Sequence, residues 1–270
     1  MIQEFMITFR EGLEAFLVVG IIFAYLAKTN KTKLNRYAAY GTLSGIIASV
    51  LVAFAFIALS VNFKGRNEAL FEGVVMLIAA GVLTSMIMWM GREGANIKQN
   101  IERDLTMRTT YGLALLTFIL VFREGIETVL FLGAAAFGND SSILSGALGG
   151  LISAAALSYI VFRTSTHLNL HMFFKVTGIF LIVFAAGLTA HGVHELQEAG
   201  VIPVIIEHVW DINHIFDENS TAGSLAKSLL GYNGNPSLLE VLSYLGYYGI
   251  LAVGLGYIRK RQHVKNKASY

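Results

Sequence analysis

Hydrophobic residues fill the chain in seven long stretches that are separated by short polar segments. The stretches cover approximately residues 4–27, 38–61, 68–91, 111–137, 143–163, 172–190 and 239–258. A run of about 20 apolar residues crosses the hydrocarbon core of a bilayer as an α-helix. The pattern therefore predicts an all-α membrane protein with seven transmembrane helices. No basic segment and no small-residue cleavage site mark the first stretch, so we interpret it as a retained helix rather than a signal peptide.

Composition supports a membrane setting. Hydrophobic residues make up 55% of the chain and charged residues 14%, and the mean hydropathy is +0.61. These values are too apolar for an ordinary soluble domain. The chain has no cysteine, which excludes disulfides, thiolate metal sites and cysteine nucleophiles. We expect residues 1–270 to form a single polytopic domain, because the length allows a helix bundle without a large soluble domain.

The loop charges predict an orientation. Most of the 20 lysines and arginines flank the connections after the first, third and fifth stretches or follow the seventh: Lys28, Lys31, Lys33, Arg36, Arg92, Lys98, Arg103, Arg108, Arg163, Lys175, Arg259, Lys260, Arg261, Lys265 and Lys267. The opposite side has only Lys64, Arg66 and Lys227. By the positive-inside rule, the N-terminus lies outside and the C-terminal tail in the cytoplasm of a protein in the cytoplasmic membrane.

One six-residue motif occurs twice. Phe9-Arg10-Glu11-Gly12-Leu13-Glu14 lies in the first stretch, and Phe122-Arg123-Glu124-Gly125-Ile126-Glu127 lies in the fourth, at an offset of 113 positions. At about 100° per residue, the arginine and both glutamates of each copy share one helix face. The motif glycine lies nearly opposite, where a second helix can approach closely.

The charges of this motif are costly inside a membrane, at about 2.5–3.5 kcal/mol for each central ionisable residue. Arg10 can pair with Glu14 four residues later, which leaves Glu11 without a local partner. Each copy has one more negative than positive charge. This surplus favours a cation pathway, and the alternative is a structural arginine–glutamate clamp between helices.

An odd number of helices separates the two motifs, so their helices cross the membrane in opposite directions. We predict an inverted repeat of residues 1–91 and 111–190. An external loop (191–238), a seventh helix (239–258) and a cytoplasmic tail (259–270) follow. Transporters with such repeats bind substrate near the midplane, at the interface of the repeats. The glutamates of both motifs are therefore expected to meet.

The doubled Arg-Glu-Gly-[Leu/Ile]-Glu motif, in the first and fourth of seven helices, resembles the oxidase-dependent iron permeases. This family includes fungal ferric permeases and bacterial ferrous/ferric permeases, and the short chain is more similar to the bacterial members. The resemblance implies that the chain handles iron with Glu11, Glu14, Glu124 and Glu127, and that Arg10 and Arg123 are the motif arginines. Phe71-Glu72-Gly73 is similar to a further family feature, which adds Glu72 to the metal candidates.

The same resemblance implies import of Fe(III), which an extracytoplasmic partner produces by oxidising Fe(II). It implies no permanently bound cofactor, since iron is the transported substrate. Apart from the resemblance, the residues indicate only a hard cation, because carboxylate oxygens suit Fe³⁺, Mg²⁺, Mn²⁺ and Ca²⁺ alike. Transport of another divalent cation such as Mn²⁺, Mg²⁺ or Pb²⁺ stays an alternative. Met86, Met88 and Met90 permit a copper interpretation, although methionine in membrane helices usually serves packing.

Two functional classes other than a transporter fit the sequence less well. A seven-helix sensor is an alternative, but the seventh stretch contains no lysine for a retinal Schiff base. An enzyme is disfavoured, because the chain has neither a nucleophile constellation nor a Gly-x-x-x-x-Gly-Lys-[Ser/Thr] loop. We predict no nucleic-acid partner; the partners we predict are iron, the bilayer and an iron oxidase or iron-binding protein.

The segment after the sixth stretch is rich in acidic residues and histidine. His194, Glu195 and Glu198 fall on one helical face and are candidates for an external gate, and the pattern around Glu195 is also similar to the family. Weaker candidates repeat every three residues: His208, Asp211, His214 and Asp217. The alternative for all of them is a solvated surface, as it is for Glu72, which can reach the interface near Arg66.

Overall fold

The computed structural model describes residues 2–93, 110–137, 143–164, 170–218 and 220–267. In this part of the chain the regular structure is helical, without a β-strand. The helices are α1 (Ile2–Lys28), α2 (Asn35–Asn62), α3 (Arg66–Glu93), α4 (Thr110–Ala136), α5 (Ile143–Thr164), α6 (Leu170–Glu198), α7 (Thr221–Leu230) and α8 (Leu238–Lys267). A 3-10 turn, Thr32–Leu34, precedes α2. The predicted all-α class is confirmed for the described residues.

Seven of these helices are long, and α7 is a short helix of 10 residues. Five of the long helices, α2, α3, α5, α6 and α8, are long and apolar enough to cross a membrane. The other two, α1 and α4, have 27 residues each. Their motif charges distinguish them, because every stretch of 18 residues within either helix contains at least three charged side chains.

Helix α6 continues beyond the predicted end of its apolar stretch at residue 190. It ends at Glu198, where Gly200 adopts a φ of +67°. The amide of Val201 donates to the Leu196 carbonyl at 2.9 Å, and the Gly200 amide donates to the Gln197 carbonyl at 2.9 Å. These two bonds form a Schellman helix end. The gate candidates therefore lie on the last turns of α6, and the connection to α8 begins after them. The predicted stretch ended early because polar residues after position 190 lower the hydropathy, although the helix continues through them.

The chain divides into two compact units. The first contains Met1–Asn62 and Ala95–Thr177, and the second contains Phe63–Gly94 and Gly178–Tyr270. The first unit includes α1, α2, α4 and α5, so it holds both copies of the motif. The second includes α3, α7, α8 and α6 from Gly178 onward.

In the first unit, α1 packs against α5 as a parallel pair. A Cβ added to Gly12 would lie 3.3 Å from the Ala154 Cβ, and one added to Gly20 would overlap the ring of Phe162. Small residues thus allow the two helices to approach closely.

Helices α2 and α4 form a second parallel pair by the same means. A Cβ on Gly45 would lie 3.1 Å from the Phe118 carbonyl oxygen, and one on Gly125 would overlap the side chain of Ser49. A Cβ on Gly133 would likewise overlap the ring of Phe56. The two pairs correspond, because the first helix of each predicted repeat packs on the second helix of the other.

The two motif helices, α1 and α4, run antiparallel. Ile22 and Leu26 near the end of α1 pack with Leu113 and Leu116 near the start of α4 and with Ala38 of α2. All five side chains are buried. The end of α1 and the starts of α2 and α4 therefore lie together at one end of the unit, around an apolar cluster.

In the second unit, α3 and α6 approach closely at two glycines. A Cβ on Gly73 would lie 2.9 Å from the Gly192 carbonyl oxygen and 3.1 Å from the Glu195 Cβ. Helix α7 is capped at its N-terminus by Ser220, whose hydroxyl oxygen accepts from the Gly223 amide at 3.0 Å, and at its C-terminus by Gly231, which has a φ of +67°. Gly231 then packs against Gly187 of α6.

Candidate metal centre

The first motif folds around a fully buried arginine. Arg10 is 1% exposed, and its Nη1 lies 2.6 Å from Glu11 Oε1 while its Nη2 lies 2.8 Å from Glu14 Oε1. The prediction that Glu11 lacks a local partner is therefore wrong. A guanidinium presents two terminal nitrogens in a planar fork, and this fork reaches the carboxylates on both sides of it.

The second motif has the same sequence pattern but a different arrangement. Arg123 Nε donates to Glu127 Oε1 at 2.8 Å and lies 4.0 Å from Glu124 Oε1. The Arg123 side chain is 45% exposed. Glu127 is thus held by its own arginine, whereas Glu124 is held only loosely by it. The two copies of the motif are not equivalent in the structure.

Three motif carboxylates from the two antiparallel helices come together. Glu11, Glu14 and Glu124 each contribute one oxygen, and these oxygens lie within 4.8 Å of one another. Among the described residues, no other group of three or more His, Cys, Asp or Glu side chains has spacing that suits a metal ion. We call these three residues the carboxylate triad.

Part of the ligand capacity of this centre is unused. Oε2 of Glu11, Glu124 and Glu127 is buried and has no hydrogen-bond partner among the described residues. A buried carboxylate oxygen without a partner is costly, and a bound cation is one way to satisfy it. Metal–oxygen bonds of about 2.1 Å require ligand oxygens within roughly 4.2 Å of one another. Small side-chain movements would therefore close the triad around a metal ion.

Glycines and one serine set the position of the motif helices. Gly12 and Gly125 face away from the carboxylates and lie where α5 and α2 approach, as predicted. Ser49 was not identified from the sequence, although it is buried directly against Gly125, with its hydroxyl donating to the Gly45 carbonyl at 2.8 Å. A signal was present in the sequence, because Gly45 and Ser49 match Gly150 and Ala154 at an offset of 105 positions.

Comparison with known proteins gives the family. The pattern of the iron permease FTR1 family matches residues 1–259, which is almost the whole chain. The chain belongs to the iron permease FTR1 family. The recognition of a doubled iron-permease motif is thereby confirmed, and with it iron transport and a membrane setting.

Curated relatives of this permease cover most of its length. An uncharacterised protein of Archaeoglobus fulgidus is 34% identical over 96% of this chain and 95% of its own. The ferrous iron permease EfeU of Escherichia coli O6:H1 is 32% identical over 92% of each chain. The ferrous iron permease EfeU of Yersinia pestis is 30% identical over 92% of this chain and 90% of its own. No solved structure matches the chain.

The other site candidates of the permease lie in the second unit. Glu72 and Glu195 are half-buried at the crossing of α3 and α6, next to Gly73, and Glu198 is exposed one turn after Glu195. The expected pairing of Arg66 with Glu72 is not seen among the described residues. The Arg66 Nε instead donates to the Ala199 carbonyl at 2.9 Å. The crossing brings together acidic side chains that lie far apart in the sequence.

His194 has a structural contact. Its Nδ1 lies 3.0 Å from Glu240 Oε1, at the start of α8. Glu240 also accepts from the Ser237 amide at 3.0 Å, and the Glu240 amide donates back to the Ser237 hydroxyl at 3.3 Å. This reciprocal pair is a capping box. His194 thus connects the last turns of α6 to the N-terminus of α8, while its side chain stays 49% exposed.

The weaker external candidates do not converge. The side chains of His208, Asp211, His214 and Asp217 are exposed, and they form no metal-spaced group in the described part of the chain. Asp211 Oδ1 instead accepts from the Asn213 amide at 3.1 Å.

The methionines that permitted a copper site serve packing where they are described. Met86 is buried, and the Met88 sulfur lies against Gly254 of α8. The side chain of Met90 is outside the described residues.

Proposed function

We propose that the carboxylate triad is the midplane site through which the permease imports iron across the cytoplasmic membrane. The observation that carries this proposal is the convergence of Glu11, Glu14 and Glu124, from two antiparallel helices, within 4.8 Å. Family membership supplies iron as the substrate, and the three buried carboxylates supply a site of the right charge and ligand type. Glu127, now held by Arg123, is the fourth motif ligand and is available when that pair separates.

The oxidation state that we propose at the triad is Fe(III). Three carboxylates and no sulfur or imidazole ligand make a hard site, which suits a small trivalent cation. The two EfeU relatives are named ferrous iron permeases. That name fits our proposal if Fe(II) is the form present outside and a partner oxidises it during delivery. In proteoliposomes, Fe(III) citrate should then enter faster than Fe(II) held reduced by ascorbate, and the reverse order would support Fe(II) at the triad.

We further propose seven spans with the N-terminus outside and an inverted repeat. The repeat is supported by the matching pairs α1/α5 and α2/α4 and by the antiparallel motif helices. An inside-negative potential supplies about 2.3 kcal/mol per charge per 100 mV, so a trivalent cation gains roughly 7 kcal/mol per 100 mV on entry. This orientation favours import without a nucleotide site.

Substitution of the triad tests the central proposal. Glu11→Gln and Glu124→Gln keep the side-chain size and remove one charged ligand each. Uptake of radioactive iron in a transport-deficient host should fall about tenfold or more, because each variant loses one of three ligands. Glu68→Gln, an exposed glutamate of α3, is the matched control and should transport at the parental rate. Parental uptake by both triad variants, at equal protein level in the membrane, would refute the proposal.

The acidic residues of the second unit are proposed as an external gate that concentrates the cation. Glu72, Glu195 and Glu198 lie near one helix crossing, and the family resemblance also includes them. The variant Glu195→Gln/Glu198→Gln should raise the iron concentration for half-maximal uptake while the maximal rate changes less. Charge attraction at an exposed site is screened by salt, so the defect should shrink at higher ionic strength. The exposed pair His208→Ala/Asp211→Asn serves as control, and an unchanged half-saturation in the glutamine variant would favour a solvated surface.

A further inference from the structure

A further carboxylate lies on the motif face of α1. Glu4 is 1% exposed although it stands in the first turn of the helix. It precedes Glu11 by seven residues, which is two helical turns, about 10.5 Å along the axis and within about 20° around it. Glu4 and Glu11 are therefore on the same stripe of α1, and Oε2 of Glu11 is one of the buried oxygens without a hydrogen-bond partner among the described residues.

The repeat has no second copy of this residue. The position in α4 that corresponds to Glu4, at the same offset as the motifs, is Thr117. Thr117 is 0% exposed, and its hydroxyl donates to the Leu113 carbonyl at 2.9 Å. The two approaches to the triad therefore differ, since a carboxylate lies before the motif of α1 and a hydroxyl engaged with the backbone lies before the motif of α4.

The two ends of α1 also differ in polarity. Gln3, Glu4 and Thr8 are buried polar residues on the N-terminal side of the motif. The other end of α1 packs with the start of α4 in the apolar cluster, whose five buried members are all hydrophobic and include no carboxylate. A cation that reaches the triad along α1 would meet its polar ligands from the N-terminal end.

We infer that Glu4 is an outer cation-binding residue, which receives the metal ion before it passes to Glu11 and the triad. This inference rests on the proposed function and on an external N-terminus, and it adds a residue that neither motif contains. The alternative explanation is structural: Glu4 only complements the helix dipole of α1, as a first-turn carboxylate does. Glu68 is the matched case for that role, because it is a first-turn glutamate of α3 but is exposed.

The test compares concentration dependence with maximal rate. Glu4→Gln should raise the iron concentration for half-maximal uptake about threefold to tenfold, since it removes one charge from the approach. The maximal rate should change less than about twofold, because the triad is intact. Glu4→Asp keeps the charge and should restore most of the parental half-saturation. Glu68→Gln should change the half-saturation less than Glu4→Gln does, although it removes the same first-turn charge from another helix.

Binding to the purified protein gives a readout that does not depend on transport. Calorimetric titration with Fe²⁺ under anoxic conditions should detect weak binding in Glu11→Gln/Glu124→Gln, and the additional Glu4→Gln should lower the number of weak sites by one. A parental half-saturation in Glu4→Gln, or an equal defect in Glu68→Gln, would overturn the inference. A lower melting temperature of Glu4→Gln with unchanged weak binding would also overturn it and assign Glu4 a structural role. Glu11→Gln, measured in parallel, separates the two ideas, because its parental uptake would refute the proposed function itself.

Discussion

Arg10 and Arg123 occupy equivalent sequence positions and have different surroundings. Arg10 is buried between two carboxylates, whereas the Arg123 side chain is 45% exposed and bonds mainly to Glu127. Breaking a buried ion pair by removing one partner costs about 3–5 kcal/mol, because the remaining charge stays in a medium of low polarity. The Arg123–Glu127 pair is buried on the Glu127 side only and reaches solvent through Arg123, so its loss costs less than the loss of a fully buried pair. The equivalent arginines of the two motif copies therefore differ in their contribution to stability.

We accordingly predict that Arg10→Ala destabilises the protein more than Arg123→Ala does. The Arg10 variant should lose about 3 kcal/mol or more and accumulate poorly in the membrane, since Glu11 and Glu14 both lose their partner. The Arg123 variant should be present at a level between that of the parental protein and that of the Arg10 variant, because it leaves the buried Glu127 without its partner but no fully buried pair is broken. Thermal unfolding in detergent and quantitative immunoblotting of membranes measure both effects. Equal destabilisation by the two substitutions would contradict the buried and exposed environments described above.

The convergence of glutamates from both motifs at the candidate centre was predicted from the sequence, but which of the four form the group was not. The repeated motif identified four carboxylates because charges inside an apolar stretch are conspicuous and the offset is constant. Periodicity could not show that Glu127 turns to Arg123 while Glu124 turns to the triad, because both lie on the same face of α4. The choice depends on how the surrounding helices pack around each arginine. The motif sequence pattern is the same in both copies, but this packing is not.

Among the helices, lengths were easier to predict than partners. The seven long helices lie close to the predicted stretches, because an apolar run of this length specifies a membrane helix by itself. Membrane helices are apolar on nearly all sides, so no polar face indicates which neighbour they contact. The pairing of α1 with α5 and of α2 with α4 is instead set by small residues such as Gly45, Ser49 and Gly150. Helix α7 was missed, because its 10 residues carry no long apolar run.

The close approach of α4 and α2 gives a prediction for these two helices. Gly125→Ala should destabilise the protein by about 1–3 kcal/mol, because the new methyl group would overlap Ser49. Uptake should fall with it. The double variant Gly125→Ala/Ser49→Gly moves the small residue to the other helix and should recover much of the loss. Melting temperatures of the two single variants and the double variant give the coupling energy. Additive effects in this cycle would mean that the two residues do not set the distance between the helices.

Across the whole molecule, the direction of transport depends on the orientation of the N-terminus. The chain contains no native cysteine, so one introduced cysteine reports one position. Lys31 and Lys64 are both exposed, and they lie at opposite ends of α2, which has 28 residues. A membrane-impermeant maleimide should label Lys64→Cys in intact cells, and it should label Lys31→Cys only after the membrane is permeabilised.

This labelling pattern follows from the distribution of lysine and arginine over the loops, because basic loops stay in the cytoplasm during insertion. It also has a consequence for the metal centre. With the N-terminus outside, Glu4 and the polar end of α1 face the external iron, and the apolar cluster at the end of α1 faces the cytoplasm. The reverse labelling, Lys31→Cys in intact cells and Lys64→Cys only after permeabilisation, would place Glu4 on the cytoplasmic side. The membrane potential would then oppose movement of a cation from Glu4 through the triad, and import by this route would be refuted.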